Sequence, residues 1–171
     1  MRHGAVHYGP MTACGTLPAA PGTYLLVLDA VRAGEVRVGR LGLLEIRPGW
    51  YLYVGSALGP GGLAARVAHH LSPPRRPHWH LDHVRGLLRP RELWYTVDGR
   101  RHEDLWADVA AAWPGVRVPL PGFGASDRPG RTHLFQVPAR PGFRAFAARV
   151  HRHQPGHPSL RRLELAAVCR H

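Results

Sequence analysis

The strongest constraint on the fold is a series of short strand-like segments near the start of the chain. Residues 22–28 form a run of aromatic and β-branched side chains, which predicts a buried strand. Residues 36–46 and 50–55 show two further strand patterns, separated by Gly and Pro turns. Because so little chain joins these segments, they must pair antiparallel to one another. We therefore expect a three-stranded antiparallel meander over residues 22–55.

Helical periodicity begins after these strands. Apolar side chains recur every fourth position over residues 63–71, which predicts a helix with His70 inside its apolar stripe and Arg66 at the edge of that stripe. Further patterns predict helices over residues 78–88 and 103–113 and strands over residues 92–97 and 132–137. Strands followed by helices that alternate with single strands are typical of the α+β class. We expect a small mixed, largely antiparallel sheet flanked by α-helices.

A chain of 171 residues suits one compact domain with extensions. Residues 1–21 are rich in Gly, Pro and Ala without periodicity, which predicts a flexible lead-in. The compact domain is expected to occupy residues 22–139. Residues 140–171 are basic and rich in His and Arg. They predict a helical extension with helices over residues 140–153 and 159–169.

The charge of the chain indicates its class of partner. All 23 basic residues are Arg, against 11 acidic residues, and the net charge is +12. Such an excess attracts polyanions, and nucleic acid is the expected partner. A basic protein without a role on nucleic acid is the alternative at this point. The charge identifies no chemistry.

The chain carries no sign of secretion or membrane insertion. No apolar run approaches the ~20 residues that cross a bilayer, and the first residues lack the apolar stretch of a signal peptide. Cys14 and Cys169 are the two cysteines, which excludes a disulfide framework. We expect a soluble cytoplasmic protein with no membrane partner, whereas its oligomeric state is open.

Two tyrosine triplets stand at the predicted strands. They are Gly22-Thr23-Tyr24 and Tyr53-Val54-Gly55, and a helix that bears Arg66 and His70 follows the second. With these triplets the chain resembles the GIY-YIG nuclease superfamily. It is more closely similar to the branch called DUF123, or Uri-type endonucleases. The closer likeness is carried, in this order, by residues 38–42, 53–59, 78–82, 121–127 and 133–135, and it covers about residues 22–135.

The resemblance implies a metal-dependent endonuclease that hydrolyses DNA phosphodiester bonds, structure-selective and linked to repair. It implies that Tyr24 and Tyr53 line the site, that Arg66 stabilises the transition state and that His70 assists. The physical chemistry agrees, because hydrolysis needs an oriented water, a base and positive charge on the phosphate. An arginine presents a fork of donors that fits phosphate oxygens. Two strand tyrosines that cap the core, and an arginine in a plain ion pair, are the structural alternatives.

The resemblance also implies one divalent cation, Mg²⁺ or Mn²⁺, held by a single glutamate. Glu103 is the candidate, because it opens a predicted helix at the border of the apolar face. Magnesium takes carboxylate and water ligands, so one carboxylate together with substrate phosphate can suffice. The alternative role of Glu103 is an ordinary acidic helix start, favoured by the helix dipole. Asp82 is the second candidate ligand.

The remaining predicted site residues are expected to contact the substrate. They are Gly22, Gly55, Ser56, His80, Asp82, Ser126 and Asp127. His78, His80 and His83 leave a zinc site open as a weaker alternative. Backbone N–H groups of the loop over residues 122–127 can meet phosphate, or the loop is a tight connection that packs Phe123.

This chain departs from the family pattern at one place, and one alternative to its expected function remains open. Relatives often carry cysteines after the Ser-Asp pair, where this chain has Arg128 and Arg131. A non-catalytic nucleic-acid-binding module that retains the nuclease fold is the alternative to an endonuclease.

Overall fold

The computed structural model describes residues 11–13, 16–72 and 76–167 of the chain. Its strands are β1 (Met11–Ala13), β2 (Gly22–Ala30), β3 (Gly34–Val38), β4 (Gly42–Ile46), β5 (Gly49–Ala57), β6 (Arg89–Val97), β7 (Leu134–Val137) and β8 (Arg161–Ala167). Its helices are α1 (Gly62–Leu71), α2 (His80–Val84), α3 (Glu103–Ala111) and α4 (Phe143–His153). The α+β class is confirmed.

One six-stranded sheet organises the fold, in the order β1-β8-β6-β2-β5-β7. Each pairing between these described strands is antiparallel. Strand β2 lies near the centre and pairs with β5 on one side and β6 on the other, with Tyr24 opposite Gly55. This register brings the two tyrosine triplets of the sequence side by side.

The predicted meander is wrong in its middle element. Strands β3 and β4 form a separate two-stranded sheet, and β2 pairs directly with β5. The sequence contains the reason, because β3 alternates buried and exposed positions, with Glu35 and Arg37 outside. A central strand is buried on both faces and needs a nearly continuous apolar run, as in β2.

Each face of the six-stranded sheet carries its own apolar core. On one face, α1, α2 and the β3–β4 hairpin cover Leu26 and Leu28 of β2. On the other face, α3 and α4 pack Trp106 and Phe146 against Trp94 of β6. Both sides of β2 are therefore buried, and the sheet supports the ends of the strands rigidly.

The two ends of the described chain join the same sheet, which corrects two predictions. Residues 161–167 form β8 rather than part of a helix over 159–169, and β1 pairs with β8 within the expected lead-in. The segment alternates, with Leu163 and Leu165 turned towards the core between exposed residues, and this period of two is typical of a strand. The first helix of the extension is confirmed as α4. Residues 1–10, 14, 15 and 168–171 lie outside the described residues.

The other predicted elements are present with shifted ends. Helix α2 ends at Val84, not at residue 88, and turns lead from it into β6. Helix α1 matches its predicted span to within one residue. Within the described residues, no helix has the length and apolar character to cross a membrane.

Candidate active site

Most of the predicted site residues meet in one polar pocket of about 300 Å³. The predicted residues in its lining are Tyr24, Tyr53, Gly55, Ser56, Arg66, Glu103 and Asp127. Trp79, Arg101, Gly124, Arg128 and His133 complete it. Strands β2 and β5 supply the tyrosines, α1 supplies the arginine, and the first residue of α3 supplies the glutamate.

Tyr24 and His70 form a buried hydrogen-bonded pair. The Tyr24 hydroxyl lies 2.7 Å from His70 Nε2. A side chain at Gly55 would overlap the Tyr24 hydroxyl, so this glycine makes the room in which the tyrosine lies. Burial raises the pKa of Tyr24 well above its usual value, and burial likewise raises the pKa of Tyr53. Both hydroxyls therefore keep their protons at neutral pH.

His70 lies behind Tyr24 rather than in the pocket lining. Its residue is 1% exposed, and burial, with Arg66 as the second cause, lowers the pKa of His70 to about 3. The imidazole is neutral at physiological pH. Its Nδ1 has no hydrogen-bond partner among the described residues. Among the residues of the site, His70 therefore acts on the pocket through Tyr24 and not by lining it.

Arg66 is held over an aromatic ring. Its guanidinium carbon lies 4.3 Å from the centroid of the Trp79 ring, and the His69 ring meets the same indole edge-on at 4.2 Å. The half-buried guanidinium remains in the pocket lining. Cation–π contact fixes the direction of the charge without neutralising it. An ion pair, the structural alternative for this arginine, does not occur among the described residues.

Asp82 supports this wall from behind. Its Oδ2 accepts the backbone N–H groups of His78 and Trp79 at 2.8 and 2.9 Å, and its carboxylate lies 3.3 Å from His69 Nε2. Burial raises the pKa of Asp82, but these hydrogen bonds outweigh burial and hold the pKa below its usual value. The Asp82 side chain is 1% exposed. Its expected place on the substrate-facing rim, and its candidacy as the metal ligand, are corrected.

Glu103 is an ionised carboxylate at the pocket wall. Ser56 Oγ donates to Glu103 Oε2 at 2.7 Å, and His133 Nδ1 lies 2.9 Å from Glu103 Oε1. Burial raises the pKa of Glu103, but His133 and Ser56 outweigh burial and lower the pKa below its usual value. His133 Nε2 is buried without a hydrogen-bond partner among the described residues. The pocket lining thus contains an ionised Glu103 as well as the positive charge of Arg66.

This donor set fits a hard cation better than zinc. In the described part of the chain, no group of three His, Cys, Asp or Glu side chains is placed to hold a metal. The proposed zinc set is weakened further, because His80 Nδ1 accepts the N–H of Gly124 at 2.8 Å. One ionised carboxylate with adjacent open space suits Mg²⁺ or Mn²⁺, which keep several waters. Glu103 is the residue that fits such an ion.

The loop over residues 122–127 is a tight connection around buried Phe123. The backbone N–H groups of Phe123, Gly124 and Ala125 bond to Leu120, His80 and Gly122. These three donors are therefore not free for phosphate. Gly124 has φ +73°, a left-handed conformation that favours glycine. Ser126 and Asp127 follow on the exposed side of this loop.

Arg128 and Arg131 pin the end of this loop to α3. Arg128 lies 2.6 Å from Asp104, and Arg131 lies 2.8 Å from Asp108. These two ion pairs join the end of the loop to the helix.

Gly22 has a role in packing rather than in substrate binding. A side chain there would overlap the carbonyl oxygen of Thr96 and the side chain of Leu63, so this glycine lets β6 and α1 approach β2. Sequence reasoning missed Trp79 and His133 as site residues. Both stand inside the stretches that carry the resemblance, residues 78–82 and 133–135, which is the signal that points to them.

Comparison with known proteins gives one result. No curated protein and no solved structure matches the chain. The family model described as Domain of unknown function DUF123 matches residues 23–155. The match continues past residue 139 and includes α4. The chain therefore belongs to the DUF123 family.

Proposed function

We propose that this protein is a GIY-YIG-type, metal-dependent endonuclease that hydrolyses DNA phosphodiester bonds, structure-selectively and in the service of repair. One observation carries the proposal. Tyr24, Tyr53, Arg66 and an ionised Glu103 converge on one pocket of about 300 Å³. Hydroxyls, a fixed cation and a carboxylate are the groups that hydrolysis of a phosphodiester needs.

Arginines bind the scissile phosphate in this proposal. Arg66 offers a donor fork to two phosphate oxygens and stabilises the charge that grows on them in the transition state. Arg101 and Arg128 also line the pocket. The net charge of +12 draws the DNA backbone to the protein at long range.

Glu103 would hold the divalent cation, with Ser56 and His133 fixing its carboxylate. The bound cation supplies further positive charge to the phosphate and lowers the pKa of nearby water. Tyr24 and Tyr53 orient the attacking water through their hydroxyls. The hydrogen bond between its hydroxyl and the neutral ring of His70 holds Tyr24 in position for this role.

A non-catalytic DNA-binding module is the second candidate. The raised pKa values of Tyr24 and Tyr53 favour it, because protonated phenols are poor general bases at neutral pH. Such a module keeps the basic surface and the pocket but does not cut. The two candidates differ in strand scission and agree in salt-dependent binding.

The test is a cleavage assay on labelled duplex, single-stranded, flap and branched DNA, each with Mg²⁺, Mn²⁺ or EDTA. Arg66→Ala is run beside the wild type, with Arg37→Ala, an exposed arginine on β3, as the matched control. We expect metal-dependent cleavage that Arg66→Ala removes and Arg37→Ala keeps. Tight binding without cleavage under all conditions contradicts the endonuclease and supports the binding module.

A further inference from the structure

A second pocket of about 240 Å³ lies beside the first and is not needed for hydrolysis. The two pockets share Tyr53, Trp79, Gly124 and Asp127 as walls. A ligand whose phosphate is bound by Arg66 can therefore extend from the first pocket into the second. In DNA, the flat group that is joined to such a phosphate through the sugar is a nucleobase.

The walls of the second pocket suit a flat ring. Tyr53, Trp79, His78 and His80 supply aromatic surfaces. The indole of Trp79 is held in place, because its backbone N–H binds Asp82 and its ring contacts Arg66 and His69. Aromatic side chains fixed in this way are the usual platform on which an unstacked base binds.

The polar groups of the second pocket exclude a phosphate there. His80 accepts the Gly124 N–H at Nδ1, so its own proton is on Nε2, and burial lowers the pKa of His80 and favours the neutral ring. The carboxylate of Asp127 is exposed and carries negative charge. A second phosphate would meet this negative charge, and the described lining of the second pocket contains no arginine.

Asp127 differs from almost all other acids of the chain. All eleven acidic residues are described, and nine of them lie within 4.0 Å of an Arg or His nitrogen. Asp127 and Glu35 have no such contact in the described structure. Glu35 lies on β3, far from Asp127 in the sequence, and lines a different pocket. Because no Arg or His nitrogen of the described residues lies within 4.0 Å of it, the exposed Asp127 carboxylate can accept hydrogen bonds from a ligand in the second pocket.

We propose that the second pocket binds one unpaired nucleobase next to the scissile phosphate and that Asp127 selects a base whose Watson–Crick edge carries an amino group. This inference rests on the proposed DNA substrate. Guanine offers two parallel donors, N1–H and the N2 amino group, to one carboxylate. Adenine and cytosine offer an amino group beside a ring acceptor, and thymine offers a single N–H between two carbonyl oxygens that the carboxylate repels. Because paired bases hide this edge, the pocket selects DNA with an unpaired base.

The test measures binding separately from cleavage. DNA hairpins with a single bulged G, A, C or T, and a fully paired hairpin, are titrated in EDTA and followed by fluorescence anisotropy. We expect the bulged G to bind about tenfold more tightly than the bulged T, which is the discrimination of a good two-bond contact to a base. The paired hairpin should bind more weakly than the bulged G.

The Asp127→Asn variant tests the assigned residue. The amide offers both a donor and an acceptor, so the preference for G over T should fall to within about twofold. Glu35→Gln, which removes the same charge at the other unpaired acid, should keep the preference. Equal binding of all bulges by the wild type, an unchanged preference in Asp127→Asn, or no binding of DNA at all would overturn the inference.

The same hairpins with Mg²⁺ or Mn²⁺ separate this inference from the proposed function. Base-dependent binding in EDTA without cleavage supports the nucleobase pocket and contradicts the endonuclease. Cleavage that is indifferent to the bulged base supports the endonuclease and overturns the pocket.

Discussion

Two carboxylates of this protein, the buried Glu92 and the half-buried Glu103, are held in opposite ways. Glu92 on β6 accepts hydrogen bonds from Trp94 Nε1 and from the guanidinium groups of Arg140 and Arg162. Glu103 accepts one bond from Ser56 and lies against His133, whose Nε2 has no partner within the described residues. The first carboxylate is fully surrounded by donors, and the second opens onto a pocket.

The difference shows which cluster stabilises the fold and which is available for chemistry. Around Glu92, β8 and the segment before α4 are joined to the central sheet, since Arg162 and Arg140 come from those elements. The four hydrogen bonds to Glu92 fill the acceptor positions of its carboxylate, which has none left for a ligand. Around Glu103 and Tyr24, two ring nitrogens remain unused, at His133 and His70. Buried polar groups without partners need a reason, and a catalytic role, an ion or an ordered water can supply one.

Replacing each carboxylate by its amide is the most direct test of this difference between Glu103 and Glu92. In Glu103→Gln we expect the cleavage rate to fall by about 10²–10³-fold, because the charge that holds the cation is lost at the reacting phosphate. The measurement is single-turnover cleavage with Mg²⁺, with Glu35→Gln as the control of equal charge change. An active Glu103→Gln variant would remove Glu103 from the site.

The matching change in the saturated cluster should act on stability. In Glu92→Gln we expect the free energy of unfolding to fall by about 2–3 kcal/mol, because two guanidinium groups and an indole N–H lose a charged acceptor. Denaturant unfolding measures this loss, and the cleavage rate of the folded variant should stay at the wild-type value. If Glu92→Gln lost cleavage with unchanged stability, Glu92 would serve the chemistry and not the stability of the fold.

The sequence predicted the parts of the site that depend on local pattern. Helical periodicity placed His70 inside the apolar stripe of α1 and Arg66 at its edge, and both positions are confirmed. The two tyrosine triplets marked the strands that meet at Tyr24 and Gly55. The place of Glu103 at the border of the apolar face of α3 also follows from local periodicity.

The parts that failed depend on contacts distant in sequence. Pairing of β1 with β8 joins segments more than 140 residues apart, and no local pattern announces such a partner. The resemblance over residues 78–82 placed Asp82 on the substrate-facing rim, yet Asp82 is turned inward and binds the backbone of His78 and Trp79. The contact between His133 and Glu103 joins residues that only the folded sheet brings together.

The two regions should also contribute to the free energy of unfolding over different ranges of pH. The folded protein protonates His70 only near pH 3, whereas the unfolded chain does so near 6.5. Protonation of His70 therefore favours unfolding, and the free energy of unfolding should fall as the pH drops from 6.5 towards 3, by up to about 1.4 kcal/mol for each pH unit. Glu92 has a lowered pKa despite its burial, so its contribution is present above its usual 4.5 and is lost below that value.

Unfolding by denaturant at several pH values tests these two pH dependences of the free energy of unfolding. His70→Gln keeps a hydrogen-bonding group near Tyr24 but does not titrate, so its stability should depend less on pH between 6.5 and 4.5 than that of the wild type. Glu92→Gln should keep the wild-type dependence in that interval. Identical curves for His70→Gln and the wild type would show that this imidazole does not lose its charge on folding.

The smallest expected effect is at Ser56. In Ser56→Ala, Glu103 loses one donor and keeps the contact with His133, so the pKa of Glu103 should rise towards its usual value and the protein should lose about 0.5–1.5 kcal/mol of stability. Carboxyl NMR titration measures the pKa, with Ser126→Ala, an exposed serine that does not contact Glu103, as the control. Because the lowered pKa keeps Glu103 ionised for a cation, metal-dependent cleavage in Ser56→Ala should need a higher pH than in the wild type. A pKa of Glu103 that Ser56→Ala leaves unchanged would mean that His133 alone keeps this carboxylate ionised. Glu103 would then depend on one partner, whereas Glu92 has three.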